Sequence, residues 1–250
     1  MILLKAQISN IEEWQAILTS ISEFVEDAIF ICSNEGITFR GIDSSQMALL
    51  DIIIPKSSFD KLICKTSFFS LKIMDFKTIM NFALPNDVIE FYIPKKTEMK
   101  IFVKGSIITE YTIKLIQRKK VDIPLPDGEY KSKLILKPDT ITRILNHIQQ
   151  ISKEITIHCN SKRVIFSGQG NLGDAKINLS KSNPDLKDIK STEISSAVYN
   201  LEYMAKIIRN IGKASKIVNI EYSNKNPVHI MFDMYSKTKV NYYLAPKIEK

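Results

Sequence analysis

The sequence predicts an α+β chain made of two similar domains, each a duplicated set of β-α-β units. Three observations carry that reading. Short runs with period-two alternation of apolar and polar residues dominate the 250 residues, as half-buried strands require. Four apolar stripes recur at helical spacing instead. The strands and stripes of the first half then return in the same order in the second. Phe39-Arg40-Gly41 aligns with Phe166-Ser167-Gly168, half the chain further on, which is the signature of an internal repeat.

Taken in order, the first half offers strands at Ala28–Cys32, Gly36–Arg40 and Ala48–Ile54. The second offers Glu154–Cys159, Arg163–Ser167 and Ala175–Leu179. Trp14, Ile17, Leu18, Ile21 and Val25 form the first helical stripe, and Ile73, Phe76, Ile79, Met80 and Ala83 the second, ending at Pro85. Ile141, Ile144, Leu145, Ile148 and Ile151 form the third, and Leu201, Met204, Ala205, Ile208 and Ile211 the fourth, closing at Gly212. Each stripe covers one face, so each helix is expected to rest on a sheet and show its other face to solvent. The chain from Gln117 to Gly128 holds two prolines, a glycine and the cluster Arg118-Lys119-Lys120, which reads as a stiff connector. The expected domains are 1–116 and 130–250, joined by 117–129. Ile123 and Leu125 are apolar in that irregular segment, so they are either pinned to the body or offered to a ligand.

The tail, Asn241 to Lys250, keeps two tyrosines, a leucine and an alanine before Pro246. A terminus ordinarily frays, so this one is expected to end a sheet, grip a partner, or do both.

Composition bounds the rest. Apolar residues make up 44% and charged residues 25%, as in an ordinary globular protein. No apolar run approaches the roughly 18–20 residues of a membrane span. The N-terminus, Met1 to Gln7, has no basic region ahead of its apolar residues, so it is not expected to be a signal peptide. No membrane partner and an intracellular, cytoplasmic or nuclear location follow as expectations. Cys32, Cys64 and Cys159 are widely spaced and lie in apolar surroundings, and they read as buried, reduced thiols. Residues 1–125 carry 15 Lys/Arg and 15 Asp/Glu, whereas residues 126–250 carry 20 and 12, so the whole net charge of +8 lies in the second half. A basic domain suits a polyanion.

Motifs argue against an enzyme and against a bound cofactor or metal. Gly168-Gln169-Gly170-Asn171-Leu172-Gly173 spells the dinucleotide fingerprint, but that motif needs a helix after it. Here an alternating strand follows, so the glycines read as turn residues. His147, His158 and His229 stand singly, and Asp43-Ser44-Ser45 has no histidine placed to activate a serine. Lys206, Arg209 and Lys213 share one helical face; Lys72, Lys77, Arg143 and Lys153 lie on or beside two other helices. Cations without base-reading groups suit phosphate backbone, which is held without regard to sequence. Glu12 and Glu13 at the start of the first helix read as complements to its dipole.

At this point the pieces resemble a family. Gly36 to Leu49, Val164 to Gly173 and Tyr242 to Glu249 resemble segments of the proliferating cell nuclear antigen sliding clamps, in order and across the whole chain. The resemblance implies a DNA clamp fold and a ring of three subunits, with helices lining a bore around double-stranded DNA and sheets outside. It implies a processivity factor that tethers DNA polymerase, flap endonuclease and DNA ligase by short peptides and is opened by a clamp loader. Carried onto this sequence, the peptide pocket comprises Ile42, Gln46, Met47, Leu49, Ile123, Leu125, Pro227, Tyr243, Leu244, Ala245 and Pro246. The DNA-facing set is Lys72, Lys77, Arg143, Lys153, Lys206, Arg209 and Lys213. The subunit interface pairs one edge strand, with Ile108, Tyr111 and Ile113, against another, with Ala175, Ile177 and Leu179. Gln46 stands where the family commonly has histidine, and the connector is basic where many clamps are acidic or neutral. The alternative is one subunit of a heterotrimeric or checkpoint-type clamp.

Overall fold

The computed structural model describes residues 3–247. The sequence readings that touch Met1, Ile2 and Ile248 to Lys250 lie outside the described residues. Two compact units emerge. The first holds the chain up to Ser44, Leu50–Ile123 and Met234–Val240; the second holds Ser45–Leu49, Pro124–Asp233 and the chain from Asn241.

In the first unit, β1 (Leu4–Ile8) leads into α1 (Ile11–Ser22), followed by β2 (Asp27–Ser33), β3 (Gly36–Ile42) and β4 (Ala48–Pro55). Then come β5 (Lys61–Cys64), β6 (Ser67–Lys72), α2 (Ile73–Asn81), β7 (Val88–Lys95), β8 (Glu98–Lys104) and β9 (Ile108–Lys114). Strands β5-β1-β7-β8-β9 form one antiparallel sheet in that order, and β4-β3-β2-β6 run side by side in another. Trp14 of α1 anchors the core. Its ring meets Phe59 at 5.7 Å and Phe91 at 5.6 Å in the edge-on arrangement that aromatic quadrupoles prefer, and Phe76 at 6.4 Å with the rings tilted.

The second unit repeats the plan. It contains β10 (Ser132–Leu136), α3 (Pro138–Gln149), β11 (Glu154–Cys159), β12 (Arg163–Gly170), β13 (Gly173–Ser180) and β14 (Leu186–Ser191). After these come β15 (Ser195–Asn200), α4 (Leu201–Gly212), β16 (Ser215–Tyr222), β17 (Val228–Met234) and β18 (Lys239–Leu244). The sheet order β14-β10-β16-β17-β18 copies β5-β1-β7-β8-β9, and β13-β12-β11-β15 copies β4-β3-β2-β6. The interval from the start of β2 at Asp27 to that of β11 at Glu154 equals the interval from β3 at Gly36 to β12 at Arg163. The predicted α+β class and its duplication are therefore present strand for strand.

All four predicted helices form, and each buries its apolar stripe. Pro138 opens α3, where its fixed φ and missing N–H cost nothing. The Asn200 side chain caps α4 by accepting from the Tyr203 N–H (3.3 Å). Pro85 follows α2 closely, as a helix stop should.

Three local expectations need correction. Glu13 does more than complement the dipole of α1, for it is buried (3% exposed). It accepts from Asn10 Nδ2 (3.0 Å), from the Ser236 N–H (3.2 Å) and from the Ser236 hydroxyl, so it ties α1 to the turn at residue 236 as well as facing the helix N-terminus. Cys64 is only half-buried, while Cys32 and Cys159 are buried as expected. The Cys64 thiol donates to the Ser33 carbonyl (2.7 Å), and burial first, then Cys32, pushes its pKa up to about 11. Finally, only Gly173 of the glycine motif has a positive φ, at 120°. Gly168 and Gly170 instead allow close approach of the last turn of α3 and the chain that follows it. A Cβ on Gly168 would lie 2.5 Å from Ile148 Cγ2, and one on Gly170 would lie 1.9 Å from the Ile151 carbonyl oxygen. The motif is a hairpin, with Gly170 paired to Gly173, and no helix follows to hold a pyrophosphate.

Candidate partner-peptide and nucleic-acid sites

The cation set divides by unit. In the second unit α3 and α4 lie side by side. Arg143, Lys206 and Lys213 are exposed on their solvent faces, as is Lys153, whose carbonyl accepts the first N–H of α4 (3.0 Å). Arg209 is half-buried and reaches across to α3, donating to Asn146 Oδ1 (2.8 Å) and Gln149 Oε1. Lys206 is 3.1 Å from Glu202 one turn back; both are exposed, so that pair adds little. In the first unit Lys72 is exposed at the residue before α2, and Lys77 is half-buried and donates to Ser22 Oγ of α1 (3.1 Å). No Lys or Arg occurs on α1.

The expected interface strands are both sheet ends. β9 closes one side of its five-stranded sheet and β13 one side of its four-stranded sheet. Along them Ile108 is 73% exposed, and Tyr111, Ala175 and Ile177 are half-exposed. Ile113 and Leu179 point inward and are buried by their own units. An open strand edge presents unpaired backbone donors and acceptors.

The expected peptide residues also fall in both units. In the first, Ile42 and Ile123 line one cavity of about 470 Å³, between β2–β4 and the irregular segment at 120–123. Arg40 was not singled out by the sequence reading, yet it holds that segment. Its Nη1 donates to the Ile123 carbonyl (2.8 Å) while its Nε meets the buried Asp51 carboxylate (2.8 Å). Arg118 anchors the same segment upstream through Asp27 (2.8 Å from Nε). Ile123 is thus pinned to the body, and Leu125 is 40% exposed.

In the second unit Gln46 is exposed with φ 57° in a turn, and Met47 is half-exposed. The Met47 carbonyl accepts from the Ala245 N–H (2.8 Å), and the Lys247 N–H donates to the Val198 carbonyl (2.7 Å). These bonds hold the chain at Ala245 and Lys247 to the body of the unit. Leu244 and Leu49 are core residues, 0% and 5% exposed, whereas Pro227, Ala245 and Pro246 are half-exposed. Tyr243 is 8% exposed and stacks on His229, with centroids 4.3 Å apart and planes within 5°. The His229 ring is held edgewise by Asn241 Oδ1 (3.2 Å) and lies 3.7 Å from Glu221. Tyr130 lies 5.8 Å from the same ring, and burial, Tyr243 and Glu221 push its pKa up to about 12. Neither His229 nor Tyr130 carried a signal in the sequence, because cross-strand neighbours are invisible without the register.

Among the described residues no cluster of three His, Cys, Asp or Glu could hold a metal ion, and no helix is long and apolar enough to cross a membrane.

Similarity to known proteins covers the chain. Residues 3–122 match the family model for the proliferating cell nuclear antigen N-terminal domain, and residues 124–247 match that for its C-terminal domain. The chain is 34% identical to a DNA polymerase sliding clamp of Nitrosopumilus maritimus, across 98% of both chains. It is 33% identical to one of Cenarchaeum symbiosum, across 97% of this chain and 98% of that one. Its fold matches the proliferating cell nuclear antigen of Thermococcus kodakaraensis with a TM-score of 0.92, at 19% identity, over 98% of this chain and all of that one. The chain therefore belongs to the proliferating cell nuclear antigen family of DNA polymerase sliding clamps.

Proposed function

We propose that this clamp works as a ring of three copies around duplex DNA, tethering DNA polymerase and other peptide-bearing enzymes such as flap endonuclease and ligase. The observation that carries the reading is the solvent-facing row Arg143, Lys206 and Lys213 on α3 and α4, in a chain whose full-length relatives are DNA polymerase sliding clamps. Such a row meets phosphates without reading bases. Ring closure is assigned to β9 of one copy pairing with β13 of the next, a head-to-tail contact that closes on itself. Partner peptides are assigned to Ile42, Ile123 and Leu125, to Gln46 and Met47, and to Pro227, Tyr243, Ala245 and Pro246, over a floor of the core residues Leu49 and Leu244. Holding a client to its template raises its local concentration without any new catalytic group. Light scattering at micromolar concentration is expected to give about three times 28.6 kDa. A stable monomer would overturn the homotrimer.

A further inference from the structure

We propose that a second cavity of the first unit, between β1, β6, β7 and the chain at 115–118, binds a small aryl carboxylate. It holds about 350 Å³, within the size of small-molecule sites. Its walls are already fixed. The Ile116 N–H donates to the Ser70 carbonyl (2.8 Å), the Ser70 hydroxyl donates to the Ile116 carbonyl (2.6 Å), and the Leu115 N–H donates to the Thr97 carbonyl (3.0 Å). Leu4, Ile93 and Leu115 give an aliphatic lining. Phe68, 47% exposed, adds an aromatic wall against which a flat ring can stack. The opening is not a demand of the fold. Leu4 pairs with Ile93 in the first unit, and the matching pair in the second is Ser132 with Tyr222. Tyr222 is fully buried and its hydroxyl donates to the Ser195 carbonyl (3.4 Å), so a ring fills there the place that Ile93 leaves open.

Charge selects the ligand. Among the described residues no carboxylate lines this cavity, whereas Lys96 and Arg118 both do. Arg118 commits its Nε and Nη2 to Asp27, so that pair is close to neutral. Lys96 is exposed in the turn between β7 and β8. Glu98, the nearest acid along the chain, is engaged by Lys95 (3.4 Å). One cation therefore stands at the rim, and Thr66, Ser67 and Gln117 supply polar groups beside it. An aliphatic lining, an aromatic wall and a single cation match a ligand with a flat apolar body and one carboxylate. An amine would meet like charge at Lys96 and find no lining acid to pair with.

The test titrates the full chain with naphthylacetate, its neutral analogue naphthylacetamide and the cationic naphthylethylamine, followed by ligand-observed NMR at about 0.05 M salt, where an exposed ion pair is weakly screened. The acetate is expected to bind roughly 3- to 5-fold tighter than the amide, the size of one exposed ion pair, and the amine weakest. Lys96→Gln, in an exposed turn, erases the advantage of the acetate and leaves the amide unchanged. Lys119→Gln removes the same charge outside the cavity and changes neither. Phe68→Ala, also at an exposed position, weakens the acetate and the amide alike. Leu4→Ser/Ile93→Tyr, which copies the pair of the second unit, abolishes binding of both. Equal binding of the three probes, an acetate advantage that survives Lys96→Gln, or no saturable binding of the acetate up to about 5 mM would overturn the proposal.

Discussion

The two units share one strand order, repeated at a constant interval along the chain, yet their helix faces carry different charge. On the solvent side α1 offers Glu12 and no cation, and α2 balances Asp75 with Lys77. The corresponding α3 balances Asp139 with Arg143, and α4 sets Lys206 and Arg209, with Lys213 at the C-cap, against Glu202. The difference separates what the fold needs from what the ligand needs. Burying the stripe side requires apolar residues at helical spacing and leaves the solvent side unconstrained. Charge on that side is free to answer to a partner, and the excess of cations lies on α4 of the second unit.

The largest expected effect tests that asymmetry. Reversing Arg143, Lys206 and Lys213 to glutamate is expected to weaken duplex binding at least a hundredfold and to flatten its salt dependence, since each lost phosphate contact lowers the slope by about 0.9. Reversing Lys72 in the first unit is expected to cost about tenfold or less. Binding measured between about 50 and 200 mM salt separates the two, and equal losses would erase the distinction.

The second test compares matched glycines. Gly168 lies against Ile148, Ser152 and the Glu154 carbonyl, whereas Gly41, its counterpart in the first unit, faces the tip of the Phe39 ring. A ring can turn aside and a backbone carbonyl cannot. Gly168→Ala is therefore expected to cost about 2–3 kcal/mol and Gly41→Ala about 1 kcal/mol, read by urea unfolding.

The third concerns Glu13, whose counterpart in the repeat is Thr140. Glu13→Ala strands the Ser236 donors and is expected to lose about 1–3 kcal/mol. Thr140→Ala, at a half-exposed position, is expected to lose about 0.5 kcal/mol or less.

The smallest effect is the pH dependence of one ion-pair cluster in the first unit. Hydrogen bonds from Lys104 and then Lys5 hold the Glu90 carboxyl below its ordinary range. A lowered folded-state pKa gives stability that is present above the unfolded value of about 4.3 and is lost as pH falls through the folded one. Glu90→Gln is expected to cost about 0.5 kcal/mol at pH 7, and the gap between variant and parent should close once the pH falls below the carboxyl's lowered folded-state value. A constant gap would contradict the ion-pair origin.

What the sequence disclosed follows from the same division. Alternation and stripes are local, so β2, β3, β11, β12 and all four helices were legible, and so was the tail whose Ala245 now bonds to Met47. Contacts set by register were not. Glu13 reads as a first-turn acid complementing the helix dipole until Ser236 arrives from far along the chain. Arg40 carried no hint that it would hold the Ile123 carbonyl, nor His229 that it would lie under Tyr243. Gly168 and Gly170 read as turn formers because the sequence does not show the chain after α3 pressing on them. The peptide set mixed accessible residues with core ones, since Leu49 and Leu244 share a hydrophobic pattern with their exposed neighbours.

The central claim is topological: the chain holds DNA by encircling it. The direct measurement loads the clamp with its loader onto a closed circular duplex, then linearises half of the sample and follows the protein retained at about 0.5 M salt, where phosphate contacts are screened. The account predicts retention on the circle and rapid loss from the linear ends. Equal loss from both forms would contradict it.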